Sequence, residues 1–259
     1  MNRPKYLYHY TNIDTLALIL KNRTIKFSSL VNVDDLDEAK TKDLGDFGKY
    51  CFVSCWTEED EESIPFWHIY TNNMKGVRIK LPSDMFKKYT LNNIGSEGSF
   101  DSYFTLEEIT GHNYMISPNW TDILSPIKYT NNTELLYPKI LYKTDYKIKI
   151  EIEKIGKYKR NNWSFQKEWR YIFKILPISY QEFVNQEFDK LMDRLYSNFN
   201  LDISSYFLNI NDEAFSQMEI TLGPNTTEGD KIIVESLLNT YNKSAKIHFS
   251  NLSKTINIK

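Results

Sequence analysis

The chain has 259 residues, 41% hydrophobic and 15% aromatic, with Lys+Arg 32 against Asp+Glu 34. That apolar content excludes an intrinsically disordered chain, and the near-balance of charge argues against a general electrostatic grip on nucleic acid or anionic lipid. No window approaches the ~20 apolar residues of a membrane span, so no membrane association is expected.

The opening Met-Asn-Arg-Pro-Lys-Tyr lacks the apolar run of a secretory signal, so a cytoplasmic location is expected. Residues 5–10 are an aromatic, β-favouring run that predicts a first strand. Asn12 or Asp14 then caps a helix through Leu16 and Leu20, and residues 24–28 alternate as a strand does. Residues 33–42 open with Asp34, Asp35, Asp37 and Glu38 and read as a surface loop passing into a helix. The apolar run from Tyr50 to Trp56 predicts a central strand buried on both faces. Cys51 and Cys55, the only cysteines, lie in it. Strand residues four apart sit about 13 Å from each other, too far for a disulfide, so both are expected as small buried thiols. With no second Cys/His pair at ligand spacing, no metal site is expected.

Pro65 opens a short helix to Tyr70, 76–82 alternates as a strand, and Ser83 caps a helical turn. Residues 91–135 carry Gly, Ser, Asn and Thr clusters without a period and read as long loops or an insertion. Strands return over 138–142, 146–152 and 169–173. Phe183, Phe188, Leu191, Met192 and Leu195 predict one amphipathic helix over 180–196. A strand over 218–222, a helix over 227–241 and a strand over 246–250 complete the chain. Short strands at irregular spacing predict an α+β fold with a bent or split sheet and peripheral helices, in a single elaborated domain spanning 1–259.

Three constellations carry candidate chemistry. In Tyr8-His9-Tyr10-Thr11, His9 is either a core histidine bonded to backbone or a ring nitrogen fixed by the strand and offered to a ligand hydroxyl. Ser54-Cys-Trp-Thr57 precedes Phe66-Trp67-His68-Ile69-Tyr70, where Trp67 and Tyr70 share one side of a helix. Such a pair packs a core or stacks a flat ring. In Trp163-Ser-Phe-Gln-Lys-Glu-Trp-Arg170, Glu168 either pairs with Arg170 or waits in a cleft to stabilise positive charge developing on a sugar. Phosphate-cradling, dinucleotide-fold, zincin and hydrolase-elbow motifs are absent. Asp34–Glu38 lacks calcium-loop spacing and reads as a solvated acidic turn. Lys143, Lys147, Lys149, Lys154, Lys157, Lys159 and Arg160 form a locally basic stretch, which reads as a solvated face.

The ordered set Leu7-Tyr-His-Tyr-Thr, Ile25-Lys-Phe-Ser-Ser-Leu-Val-Asn, Phe52-Val-Ser-Cys-Trp-Thr, Phe66-Trp-His-Ile-Tyr, Gly76-Val-Arg-Ile, Lys167-Glu-Trp-Arg and Ile220-Thr-Leu-Gly-Pro resembles a bacterial family of unknown function met near phage-defence genes. Asn32-Val-Asp-Asp-Leu-Asp-Glu38 departs from that family's Asn-Asp-Pro-x-Glu. The family is in turn similar to the ADP-ribosyltransferases. That resemblance implies an ADP-ribosyltransferase-like split sheet and NAD as a consumed substrate. It implies Glu168 and His9 as catalytic groups, and His9, Tyr10, Thr11, Ser54, Trp67 and Tyr70 around the dinucleotide. It also implies a toxin or defence effector that modifies a nucleic-acid or protein acceptor, with an antitoxin protein as a candidate partner. A nucleotide-sensing or interaction module without turnover is the alternative.

Overall fold

In the computed structural model, which describes residues 3–92, 98–117, 123–143 and 148–255, the N-terminal aromatic run is β1 (Tyr6–Thr11), followed by α1 (Ile13–Asn22) and β2 (Thr24–Ser29). Next come β3 (Cys51–Thr57), α2 (Ile64–Tyr70), β4 (Val77–Pro82) and β5 (Leu124–Pro126). The second half supplies β6 (Glu168–Leu176), α3 (Tyr180–Val184), α4 (Phe188–Tyr196), β7 (Glu219–Leu222), α5 (Glu228–Tyr241) and β8 (Lys246–Phe249). The class is mixed α+β. The sequence reads as one elaborated domain; the chain packs as two compact units. The first comprises Met1–Ile25, Trp56–Lys87 and Leu208–Lys259, and the second Lys26–Cys55 and Lys88–Phe207.

In the first unit β1 pairs antiparallel with β4 from Tyr6↔Pro82 to Thr11↔Val77. Strand β4 pairs antiparallel with β7, and β7 runs parallel to β8. Side chains alternate across a strand, so register decides the faces. Leu7, Ile79, Leu81, Ile220 and Leu222 fall on one face and are buried. Tyr8, Tyr10, Arg78, Lys80, Glu219, Thr221 and His248 fall on the other. Helix α1 lies against α5 and buries Leu16, Ile19 and Leu20. Asn12 occupies the N-cap of α1 without capping it; its side-chain oxygen accepts the Asn72 N–H at 2.8 Å instead. Gly76 is obligatory before β4, because a Cβ there would lie 2.2 Å from the Thr11 carbonyl oxygen. The helical turn expected after Ser83 is a non-helical turn leading to the strand Tyr89–Asn92.

The core of the second unit gathers Tyr50, Cys51, Val53, Met115, Ile140, Ile172, Ile178, Leu191 and Leu195. Strands β2 and β3 pair through Ser28↔Val53, and β6 pairs with β5 through Trp169↔Pro126 and Tyr171↔Leu124. Phe173 takes Phe27 at 5.1 Å and Phe104 at 4.9 Å between ring centres. The helix expected over 180–196 is two helices. Ser179 and Glu182 form a capping box that starts α3, and Gln186, at φ 59, turns the chain before α4. The apolar period survives the break because Phe183 and Phe188 still meet edge-on at 5.8 Å. Residues 33–42 enter no helix, and Asp35 and Glu38 are buried, so the solvated acidic turn is corrected. The stretch 91–135, read as loops, contains the strand Ser99–Ser102, paired antiparallel with Tyr89–Asn92, and the capped helix Leu106–Thr110; residues 93–97 and 118–122 lie outside the described residues. So do Tyr146 and Lys147, leaving Ile148–Ile150 of the strand expected over 146–152. No helix among the described residues is long and apolar enough to cross a membrane.

Candidate functional site

Glu168 opens β6, a strand buried on both faces along nearly its whole length. The i, i+2 spacing puts its side chain on the same face as that of Arg170. Arg170 Nε donates to Glu168 Oε1 at 2.7 Å, and Nη2 lies 2.7 Å from the same oxygen. Lys159 Nζ donates to Glu168 Oε2 at 2.9 Å and to Gln166 Oε1 at 2.7 Å. A second carboxylate closes the cluster: Glu38 accepts from Arg170 Nη1 and lies 3.3 Å from Lys159 Nζ. Arg170 is fully buried, and Glu38, Lys159 and Glu168 are between 4 and 6% exposed. Two carboxylates and two cations make the group formally neutral.

Charges this deep cost several kcal/mol each to desolvate, and only such mutual pairing makes them tolerable. The same balance sets their protonation. Burial pushes the Glu168 carboxyl up, but Arg170 and then Lys159 outweigh it and hold the group below the ordinary carboxylate range. Burial pulls Lys159 down, while Glu168 and Glu38 more than restore it, so its ammonium is held above its ordinary value. Cys55 lies beside this cluster; burial first, and Glu168 second, push its thiol up. Both oxygens of Glu168 are therefore engaged by cations, and the carboxylate is fixed as an anion.

The other candidates divide by unit. Ser54 shares the second unit with Glu168 and is buried, whereas His9, Tyr10, Thr11, Trp67 and Tyr70 belong to the first. His9 lies opposite Ile79 on the apolar face of β1, half-buried, with its ring 5.1 Å from that of Trp56. Tyr10 points to the opposite face, where its hydroxyl accepts the Ser63 N–H at 3.0 Å. Phe66 and Trp67 meet the Tyr10 ring edge-on, at 5.1 and 4.8 Å. Trp67 is fully buried and donates its indole N–H to Glu62 at 2.9 Å, so both ring faces are enclosed by the core. Thr11 is buried as well. Tyr70 differs: half-buried against Phe66, it borders a cavity of about 510 Å³ with Asn12, Asp14, Asn72, Lys75 and Asp230.

Two members of the ion cluster, Glu38 and Lys159, escaped the sequence reading. Each sat in a charged run, where solvent exposure is the ordinary outcome. The signal that points to them is Arg170, a cation in an apolar strand that needs more than one anion once Lys159 is buried beside it. Among the described residues no group of three or more His, Cys, Asp or Glu side chains is placed to hold a metal ion. No family model matches the sequence, and no curated protein and no solved structure matches it either.

Proposed function

We propose that the chain is a nucleotide-sensing module that holds NAD by its nicotinamide-ribose end beside Tyr70, with no turnover through Glu168. The reading keeps the ADP-ribosyltransferase-like fold and the defence setting that the motifs imply. What carries it is the cavity at Tyr70. Its 510 Å³ falls within the ~300–1,000 Å³ of small-ligand sites. A tyrosine ring beside Asp14 and Asp230 suits a flat, cationic nicotinamide and hydroxyl-bearing ribose, while Lys75 offers one positive charge toward phosphate. Glu168 supports the same side of the argument, because Arg170 and Lys159 cancel the field a carboxylate must project onto a sugar cation. Calorimetric titration with NAD, ADP-ribose and nicotinamide riboside tests it. NAD affinity is expected to fall about tenfold in Tyr70→Ala, a loss of about 1.4 kcal/mol, with no nicotinamide released. Equal NAD binding by both proteins refutes the reading.

The second reading is NAD cleavage followed by transfer of ADP-ribose to a macromolecular acceptor. In its favour, Glu168 remains ionised at the head of β6. Nicotinamide release that vanishes in a folded Glu168→Gln protein would establish it.

A further inference from the structure

The polar face of the first unit contains a cationic group without a counterion among the described residues. Register places Arg78 beside Tyr10 on β1 and Thr221 on β7, and Lys80 beside Tyr8 and Glu219. Arg78 is 9% exposed. Its Nη1 donates to the Asp60 backbone carbonyl at 2.6 Å, its guanidinium carbon lies 4.8 Å from the centre of the Tyr8 ring, and its buried Nε has no partner. Among the described residues no carboxylate lies within ion-pair distance of it.

The neighbouring charges are already engaged. Lys80 Nζ lies 3.2 Å, and His248 Nε2 3.4 Å, from Glu219. Asp60 accepts the Tyr8 hydroxyl at 2.6 Å, and Glu62 accepts from Trp67, Ser250 and the Asn251 N–H. Asp60, Glu62, Arg78, Lys80, Glu219 and His248 line a cavity of about 230 Å³.

An arginine that gives up its water without gaining an anion is costly, and a ligand anion removes that cost. Its fork matches the two oxygens of a planar carboxylate. The wall also selects the remainder of the ligand. Asp60, Glu62 and Glu219 outnumber Arg78 and Lys80, so a dianionic phosphate meets net repulsion. A monoanion carrying its own ammonium meets attraction at both ends. Glu219 is diagonal to Arg78 across the two strands, and diagonal neighbours are ~7–8 Å apart, the span of a carboxylate and an ammonium a few bonds apart plus a hydrogen bond at each end. The cavity is below the ~300–1,000 Å³ range of drug-sized ligands, so it selects for something small.

We propose that this cavity binds a free amino acid as its zwitterion, with the carboxylate on Arg78 and the ammonium on Asp60 and Glu219. It is a second ligand site, independent of the nucleotide reading. Calorimetry at neutral pH with each standard L-amino acid tests it, beside propionate, ethylamine and inorganic phosphate as partial ligands. At least one amino acid is expected to bind about tenfold or more tighter than propionate or ethylamine. Arg78→Lys keeps the charge but loses the fork, and should weaken that binding about tenfold or more while NAD binding stays unchanged. Glu219→Gln and Asp60→Asn carry the test if Arg78→Lys does not fold. Each should weaken the amino acid and leave propionate unaffected. Phosphate binding tighter than every amino acid overturns the proposal. So does the absence of amino-acid binding at about 10 mM, beyond the millimolar affinity of a weak specific ligand, and so does equal loss of amino acid and propionate in the Glu219 and Asp60 variants.

Discussion

Replacing Glu168 by Gln keeps the side chain's shape but leaves Arg170 and Lys159 with one carboxylate, Glu38, between them. The cluster goes from neutral to singly positive in a site where its members are at least nine-tenths buried. Removing one partner of a buried ion pair costs about 3–5 kcal/mol, whereas an exposed pair is worth about 1 kcal/mol or less. With an unfolding entropy of ~2.1 cal/mol/K per residue, a chain of 259 residues loses about 2 °C of Tm per kcal/mol. The expected drop is therefore about 6–10 °C by calorimetry or circular dichroism. A compensating change checks the cause. Lys159→Met with Glu168→Gln restores neutrality, so the double variant should be more stable than the sum of the single losses by about 1.5 kcal/mol or more. Acid titration gives a third measure. The folded-state pKa of Glu168 is depressed, so its contribution is full above the unfolded value of 4.5 and is lost as pH falls through the folded value; the variant should lack that part of the acid limb. A Tm drop under about 2 °C, or strictly additive losses, refutes the structural role of Glu168.

Glu182 receives both Nη atoms of Arg194, at 2.7 and 2.8 Å, and Arg194 with the Ser179 N–H brings its carboxyl down to about 2. Arg194→Met should cost about 1–2 kcal/mol at neutral pH, fading as pH falls from about 4.5 toward about 2, read by urea denaturation at a series of pH values. Trp67→Phe removes the indole donor from Glu62 and should cost about 1–3 kcal/mol; a change under 0.5 kcal/mol, the noise of a neutral surface substitution, would deny that bond a structural role. Gln186 is exposed at φ 59, so Gln186→Gly should raise stability by up to about 1 kcal/mol through relief of a left-handed conformation, and a loss of Tm would show that its side chain matters.

Strands β1, β3, β4 and β6 were legible because each writes its burial into a short run of residues, alternating in β4 and continuous in β3. The break at Gln186 was not, since Phe183 and Phe188 keep a helical spacing on either side of it. The α+β class followed from irregular strand spacing, but the division into two units depends on which segments pack together, and no local pattern encodes that. At the candidate site, Glu168 stood out beside Arg170 on one strand. Glu38 pairs with Arg170 from 132 positions away, inside a run whose acidity favoured solvent. Arg78 looked like one more residue of an alternating strand; only the register with β1 and β7 sets it between Tyr10 and Thr221, neither of which is a carboxylate.

The two cysteines offer a clock for one part of the molecule. Both belong to the second unit, neither is in a disulfide, and Cys51 is fully buried, with its thiol pushed up to about 11 by that burial. A thiol-reactive dye attacks the thiolate, so labelling of Cys51 in the native state must wait for the strand to open. The first unit contributes no thiol at all. With half-buried Cys55 replaced by Ser, the rate of dye uptake at Cys51, followed through denaturant or added ligand, thus counts the openings that expose the buried start of β3.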